Sequence, residues 1–241
     1  MKKIMFILIL FSSCAYNLCK KESVGVSDVC CVAPPKVSNA FGLTDKQWNK
    51  GDILYYTFLD GTSTQKKKVR DGFREISAIS NLKYSETTNK QESIIRVTFK
   101  YSGNWSYVGK DNLLIGKNEP TMNFGDINSF TTQDIINRLV WHEGGHATGR
   151  EHEHQHPFSP IQFDTAVVYR EIGWDREQTY HNILRRYSQL TTEWGEFDVN
   201  SIMIYPIPKH WTTNGFFIPY NKSMSKGDST YLINRFGSHC N

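Results

Sequence analysis

Three histidines and a glutamate in the middle of the chain have the types and the spacing that could bind and use a metal ion. His142, Glu143 and His146 form an H-E-x-x-H pattern, which on an α-helix places both imidazoles one turn apart on the same face. Gly149 can then end the helix and turn the chain, so that His152 approaches the same ion. Three protein ligands leave the fourth position of a zinc ion open, which is typical of a catalytic site. The spacing therefore predicts a catalytic zinc centre with Glu143 as the general base.

This helix motif needs a second signal, because H-E-x-x-H also occurs by chance in surface helices that bind no metal. Here the pattern extends to H-E-x-x-H-x-x-G-x-x-H-E, which ends at Glu153. A second motif, Ser-Ile-Met-Ile-Tyr, occupies residues 201–205 and is followed by Pro206. A core strand is the alternative interpretation of this motif, since a methionine more often packs than takes part in chemistry. The Tyr-Pro at its end disfavours a strand.

Together, the two motifs resemble the metzincin endopeptidases, and within them the astacin-like branch. The resemblance implies one catalytic zinc ion and an endopeptidase that acts on protein or peptide substrates. It also implies that Met203 forms a turn beneath the metal, and that Tyr205 is a switchable fifth zinc ligand that hydrogen-bonds the oxyanion during catalysis. One alternative is a matrixin-like metzincin without a tyrosine ligand, and another is an inactive exported binding module of the same fold. Glu153 and Tyr205 favour the astacin-like branch.

The resemblance implies an α+β fold, namely a metzincin-type two-lobed catalytic domain over residues 46–241. We expect a twisted mixed sheet and the active-site helix in the N-terminal lobe, about 46–149. The C-terminal lobe, about 150–241, should be mostly irregular and helical. A length of 241 residues is sufficient for one such domain, and a formal net charge of +4 is too small to indicate nucleic-acid binding. We expect the protein to act as a monomer.

A short aromatic stretch provides a candidate substrate-binding strand. Its four residues resemble the edge strand on which astacin-like peptidases lay an extended substrate, and backbone pairing to a sheet edge is a general way to hold an unfolded peptide. These residues are Trp105, Ser106, Tyr107 and Val108. A loop with packed aromatic side chains is the alternative. The chain has Asn104 where animal astacins have a cysteine, so the disulfide that this cysteine makes in them is missing here.

Hydrophobic periodicity indicates the elements that must position these residues in the first lobe. Apolar residues at helical spacing predict a helix over residues 62–80, and an alternating pattern predicts a strand over residues 94–99. Residues 131–134 predict a capping box for the helix that carries the histidine motif. The buried stripe of that helix is expected to consist of Ile135, Ile136, Leu139 and Val140.

The second lobe has fewer local signals. Residues 153–157 predict an extended polar segment, with a second metal site at its histidines as the alternative. Apolar residues over 180–187 predict one amphipathic helix. A second helix is predicted near the C-terminus, where Ser225 and Asp228 have the spacing of a helix start.

The N-terminus has the features of an export signal. The initiator methionine is followed by two lysines and then by an apolar run that is too short to span a bilayer. Residues 10–14 resemble a lipobox in which Cys14 would be acylated, whereas cleavage after Ala15 is the alternative. We therefore interpret residues 1–14 as a signal peptide and residues 15–45 as a tether or pro-segment. The mature protein would be either an outer-membrane or cell-surface lipoprotein, which contacts the membrane only through its lipid, or a secreted protein.

Cysteines cluster before the predicted catalytic domain. Four of the five lie there, namely Cys14, Cys19, Cys30 and Cys31, and the fifth is Cys240 near the C-terminus. Cys240 lies where astacin-like domains end in a disulfide-bonded cysteine, but the first predicted helix lacks the partner that the resemblance implies. We hypothesise that one of Cys30 and Cys31 bridges to Cys240 while the other occupies the open zinc position and keeps the enzyme latent, since thiolates are strong zinc ligands. Asp28 or Asp45 could block the metal instead, and a flexible tether with unpaired cysteines is the remaining alternative.

Overall fold

The computed structural model describes residues 46–188 and 196–238, together with the backbone of residues 31–32. The predicted signal peptide and most of the predicted tether lie outside the described residues. The same holds for Cys14, Cys19, Cys30, Cys240, Asp28 and Asp45. Among the helices of the described part, none is long and apolar enough to cross a membrane.

One twisted sheet of six strands forms the first lobe, and it is mixed, as predicted. The strands are β1 (Cys31–Val32), β2 (Ile53–Phe58), β3 (Lys83–Glu86), β4 (Ile95–Thr98), β5 (Asn104–Ser106) and β6 (Met122–Phe124). Their order across the sheet is β1-β5-β6-β4-β2-β3. Among the strands that the structure describes, only the β5–β6 pair is antiparallel, so β5 runs against the direction of β6.

The predicted first helix is confirmed as α1 (Ser63–Ile79). It begins at a capping box between Thr62 and Gln65, and it buries Phe73 and Ile76 against the sheet. The connection from β2 through α1 to the parallel strand β3 forms the βαβ unit of the lobe. The sequence did not predict β3, since four residues of mixed polarity carry no clear period.

Strand β4 lies within the predicted range, but its predicted alternation is wrong. Every residue of the strand is buried, including Arg96 and Thr98. Helices and loops cover both faces, which is usual for a central parallel strand. The Arg96 guanidinium is accommodated because it donates hydrogen bonds to backbone carbonyls, among them those of Glu119 at 2.7 Å and Ile115 at 3.1 Å.

Helix α2 (Gln133–Ala147) carries the histidine motif and packs against α1. The predicted capping box is wrong, because the helix begins after Thr132, which makes no side-chain cap bond. The hydroxyl of Thr131 instead donates to the carbonyl of Asp126. Ile136, Leu139 and Val140 are buried as predicted, whereas Ile135 is 38% exposed and does not belong to the buried stripe.

The second lobe consists of short helices and irregular segments, most of them around a smaller apolar cluster, whereas its last helix buries Leu232 and Phe236 in the larger core of the first lobe. Its helices are α3 (Thr165–Glu171), α4 (Arg176–Thr179), which continues as a π-helical turn (Tyr180–Leu184), and α5 (Lys226–Phe236). Single 3-10 turns occur at Glu153–Gln155 and Lys209–Trp211, and a longer one, Gly109–Leu114, belongs to the first lobe. The predicted start of α5 at Ser225 is confirmed, with a capping box to Asp228.

The amphipathic helix predicted over residues 180–187 is wrong in extent and in orientation. Tyr180 is 55% exposed, and the helical turn ends at Leu184. Beyond it, the Tyr187 amide donates to the carbonyl of Gln155 at 2.9 Å. Pairing with a distant segment, which sequence periodicity does not report, sets the path of the chain here.

Candidate metal centre

The three predicted histidine ligands come together at one buried point. His142 and His146 lie one turn apart on α2, and Gly149, with φ of +101°, turns the chain after the helix as predicted. This turn brings His152 to the same place. The Nε2 atom of His146 lies 3.2 Å from that of His142 and 3.1 Å from that of His152. All three side chains are buried.

The hydrogen bonds on the opposite side of two rings fix their tautomers. His142 Nδ1 lies 2.8 Å from the carbonyl oxygen of Ile202, and His146 Nδ1 lies 2.8 Å from that of Arg150. A carbonyl can only accept, so each Nδ1 must carry the proton. The two Nε2 atoms of the neutral rings therefore face one another with lone pairs at 3.2 Å. That arrangement is unfavourable unless a cation lies between them.

Separations of this size fit zinc. Two nitrogens bound tetrahedrally at about 2.0–2.1 Å would lie about 3.3 Å apart. Burial lowers the pKa of His146 to about 3, and it lowers the pKa of His142 and His152 well below the usual value. The rings are therefore neutral at pH 7, as metal ligation requires. The residues present thus fit one zinc ion.

The remaining predicted residues of the centre surround this point. Glu143 is fully buried beside His142 on α2. Tyr205 is buried, and its ring centroid lies 4.2 Å from that of His152. Met203 lies against α2, where a Cβ at Gly145 would clash with the methionine sulfur. A side chain at position 145 would therefore force the Met203 side chain to shift, so this segment and α2 pack closely.

The sequence interpretation missed His154. Residues 153–157 are not extended as predicted, because Glu153–Gln155 form a 3-10 turn that buries the His154 ring. The ring lies 4.7 Å from that of Tyr205 and 5.2 Å from that of His152. Its Nε2 donates to the carbonyl of Asn182 at 2.9 Å. Nothing in the local sequence indicates this position, since it depends on contacts from later segments.

Comparison with known proteins agrees with this geometry. The family model described as Astacin, a family of peptidases, matches residues 41–216, which is well over half of the chain. The chain belongs to the astacin family. The predicted resemblance to astacin-like metzincins, the predicted α+β metzincin fold and the predicted zinc cofactor are therefore confirmed.

Individual astacin relatives differ in how much of them the chain covers. A solved structure of myroilysin is 32% identical with a TM-score of 0.75, and the match covers 80% of this chain and 96% of that chain. High choriolytic enzyme 1, a hatching enzyme zinc-protease from Oryzias latipes, is 16% identical with a TM-score of 0.57, covers 79% of this chain and 94% of that chain, and shows the fold alone. Zinc metalloproteinase nas-12 from Caenorhabditis elegans is 26% identical over 144 residues, or 58% of this chain. The chain spans about a third, 34%, of the length of this curated relative.

The predicted substrate-binding stretch of this astacin-family chain begins in β5, which is second from one edge of the sheet and lies next to α2, and its last two residues, Tyr107 and Val108, follow the strand. Strand β5 pairs with β6 on one side, and on the other side the backbone of Cys31–Val32 pairs with it in parallel. The side chains of all four stretch residues are buried; these are Trp105, Ser106, Tyr107 and Val108. Asn104, which replaces the cysteine of animal astacins, donates to the carboxylate of Asp126 at 2.9 Å.

A cavity of about 840 Å³ adjoins the third histidine on the side of the C-terminal lobe. Its lining includes His152, Glu153 and Asp198. Burial raises the pKa of the Glu153 carboxyl, although the carboxylate accepts the backbone N–H of Asp198 at 3.0 Å. Burial also raises the pKa of Glu151, in the same lining, to about 7. The space beside the candidate metal centre is therefore lined by two half-buried glutamates whose carboxyl pKa values lie above the ordinary value.

Proposed function

We propose that this protein is an exported zinc-dependent endopeptidase that acts as a monomer and hydrolyses peptide bonds in protein or peptide substrates. The observation that carries the proposal is the pair of inward-facing Nε2 lone pairs of His142 and His146 at 3.2 Å, with His152 beside them. Membership of a peptidase family supports it, as does the name of the curated relative, a zinc metalloproteinase.

Each residue of the centre has a separate role in the proposed reaction. When bound by His142, His146 and His152, zinc supplies a Lewis acid that polarises the scissile carbonyl and lowers the pKa of water. Glu143, which follows the first ligand on the same helix, accepts the proton of the attacking water and passes it to the leaving amine. Tyr205 donates a hydrogen bond to the oxyanion that develops on the carbonyl.

A digestion assay tests this function. The protein without residues 1–45 should cleave an unfolded protein such as casein, lose this activity with a chelator and regain it on addition of zinc. Cleavage that is insensitive to the chelator would contradict the metal-dependent mechanism. Zinc binding without cleavage, after removal of residues 1–45, would support the alternative of an inactive binding module.

The segment before the catalytic domain keeps the enzyme latent in this proposal. The pairing of Cys31–Val32 with Trp105 and Ser106 supports it, because β1 then occupies the side of β5 on which an extended substrate is expected to lie. The cysteine-switch hypothesis for Cys30 and Cys31 remains a proposal, as do the alternatives at Asp28 and Asp45. A chain that lacks residues 1–45 should be active at once, whereas the longer form should be silent until it is proteolysed. Equal activity of the two forms would contradict latency.

Export also remains a proposal, and it rests on the basic and apolar residues at the N-terminus. The N-terminal sequence and the intact mass of the mature product distinguish acylation of Cys14 from cleavage after Ala15. A mature protein that starts at Met1 would contradict export by either route.

A further inference from the structure

Asp228, near the start of α5, makes more contacts than a helix cap requires. The side chain is fully buried. Its Oδ2 accepts the backbone N–H groups of Ser225 and Ile202, each at 2.8 Å. Its Oδ1 lies 2.7 Å from the Arg150 guanidinium and accepts the hydroxyl of Ser201 at 2.7 Å. Only the contact with Ser225 belongs to the capping box.

Two of these contacts lead directly to the histidines. Ile202, whose N–H is held by Asp228, uses its carbonyl to accept the proton of His142 Nδ1 at 2.8 Å. Arg150, whose guanidinium is held by the same carboxylate, uses its carbonyl to accept the proton of His146 Nδ1 at 2.8 Å. One carboxylate thus anchors both residues whose carbonyls orient the two imidazoles of α2.

A cap alone does not explain this arrangement. Helix α1 begins at an equivalent capping box, Thr62 with Gln65, which is exposed and neutral. At α5 the corresponding position carries a charge that is buried against Arg150, with side-chain exposures of 0% and 10%. Burying an ion pair is costly unless its geometry and its further hydrogen bonds are good. The carboxylate meets that condition by making the contacts that extend to the histidines.

We propose that Asp228 is a positioning residue of the metal centre: through Ile202 and Arg150 it sets the orientation of the His142 and His146 rings. Partners that hold the far nitrogen of a metal-binding histidine fix its tautomer and raise its basicity, and their loss typically costs about 10- to 100-fold in metal affinity or activity. This inference rests on the zinc site proposed above and adds a residue that touches neither metal nor substrate.

The test compares Asp228→Asn with Ser225→Ala in the full-length protein. An asparagine side chain has one oxygen that accepts and one NH2 group that only donates. The contact with the Ile202 N–H or the contact with the Arg150 guanidinium is therefore lost. Ser225→Ala weakens the helix cap but leaves the contacts of Asp228 with Ile202 and Arg150 in place. We expect Asp228→Asn to weaken zinc binding, measured by chelator competition, by about 10-fold, the lower end of this range, because the two carbonyls themselves remain. The visible spectrum of the cobalt-substituted protein should change as well. Ser225→Ala should keep the wild-type zinc affinity and cobalt spectrum despite a lower unfolding temperature.

A second variant keeps the inference testable if Asp228→Asn does not fold. Arg150→Gln removes the ion pair and leaves the capping box intact, and we expect it to weaken zinc binding and to change the cobalt spectrum. Wild-type zinc affinity and spectrum in every folded variant would overturn the inference and make Asp228 a structural residue only. Zinc binding is measured without substrate. A protein that binds zinc but cleaves nothing even after residues 1–45 have been removed would therefore contradict the proposed function and leave this inference standing.

Discussion

The two lobes hold the same metal centre by different means. In the N-terminal lobe, α2 is positioned by close apolar packing: a Cβ at Gly72 would lie 2.5 Å from Val140, and one at Gly144 would lie 2.5 Å from Ile76. In the C-terminal lobe, the residues after α2 are positioned by hydrogen bonds from irregular segments, such as the bond from the Glu153 N–H to the carbonyl of Met203 at 3.0 Å.

This difference predicts which substitutions each lobe tolerates. A packed interior responds to changes in volume, because its side chains interdigitate with few voids. A hydrogen-bonded segment responds to loss of a donor or an acceptor, because a buried polar partner is then left unsatisfied. We therefore expect volume changes near α2 to lower stability, and polar changes near Asp228 and Tyr205 to alter the chemistry.

The largest effect is expected at Glu143, the general base that we propose for the N-terminal lobe. Glu143→Ala removes the general base, which typically lowers kcat by about 10²- to 10⁴-fold. Zinc content should stay at the wild-type level, because Glu143 is not a ligand. Steady-state kinetics and metal analysis of the same preparation check both points. Near-normal kcat would mean that another group takes the proton.

A somewhat smaller effect is expected at Tyr205, the oxyanion donor that we propose for the C-terminal lobe. Tyr205→Phe keeps the ring contact with His152 but removes the hydroxyl, and loss of one oxyanion donor costs about 10²- to 10³-fold in kcat. KM should change far less, since the bond exists mainly in the transition state. A change confined to KM would make Tyr205 a substrate-binding residue, and loss of zinc would make its role structural.

The sequence predicted most of the first lobe because the relevant signals are local. The ligand spacing of His142 and His146 is a property of one helix, and the apolar stripe of α1 follows the helical period. The predictions that were wrong in this lobe concern local features that contacts with distant residues determine. Thr131 resembles a helix cap in sequence, but its hydroxyl is used by the carbonyl of Asp126 in the preceding loop.

The second lobe could not be predicted to the same extent, because its hydrogen bonds join distant positions. The His154 ring is fixed by Asn182, and the Asp228 carboxylate is fixed by Arg150. Neither pair has a sequence spacing that a periodic pattern could report. Ser225 and Asp228 do indicate a helix start, and the structure confirms it. The further contacts of Asp228 with residues of the centre become visible only in the folded chain.

A test of packing in the first lobe is expected to change stability without changing the chemistry. Gly72→Ala places a methyl group against Val140, and overpacking costs about 1–3 kcal/mol, which should outweigh the gain of about 1 kcal/mol in helix propensity. Thermal or urea unfolding should show the loss, while kcat of the folded protein stays unchanged. Adding Val140→Ala should relieve the crowding, so that the two changes are not additive. Strict additivity would show that Gly72 is not held against Val140.

The smallest effect is expected at the helix cap of α1, which sharpens the contrast between the two capping boxes. Thr62→Ala removes the hydroxyl that accepts the Gln65 N–H at 3.2 Å, and loss of such a cap costs about 1 kcal/mol of stability. Because this box is exposed and makes no contact with the metal centre, zinc affinity and kcat should be those of the wild type. Urea unfolding, zinc competition and kinetics measure the three quantities. A drop in zinc affinity of Thr62→Ala comparable to that of Asp228→Asn would mean that loss of any cap disturbs the centre. The distinction between a packed lobe and a hydrogen-bonded lobe would then be lost.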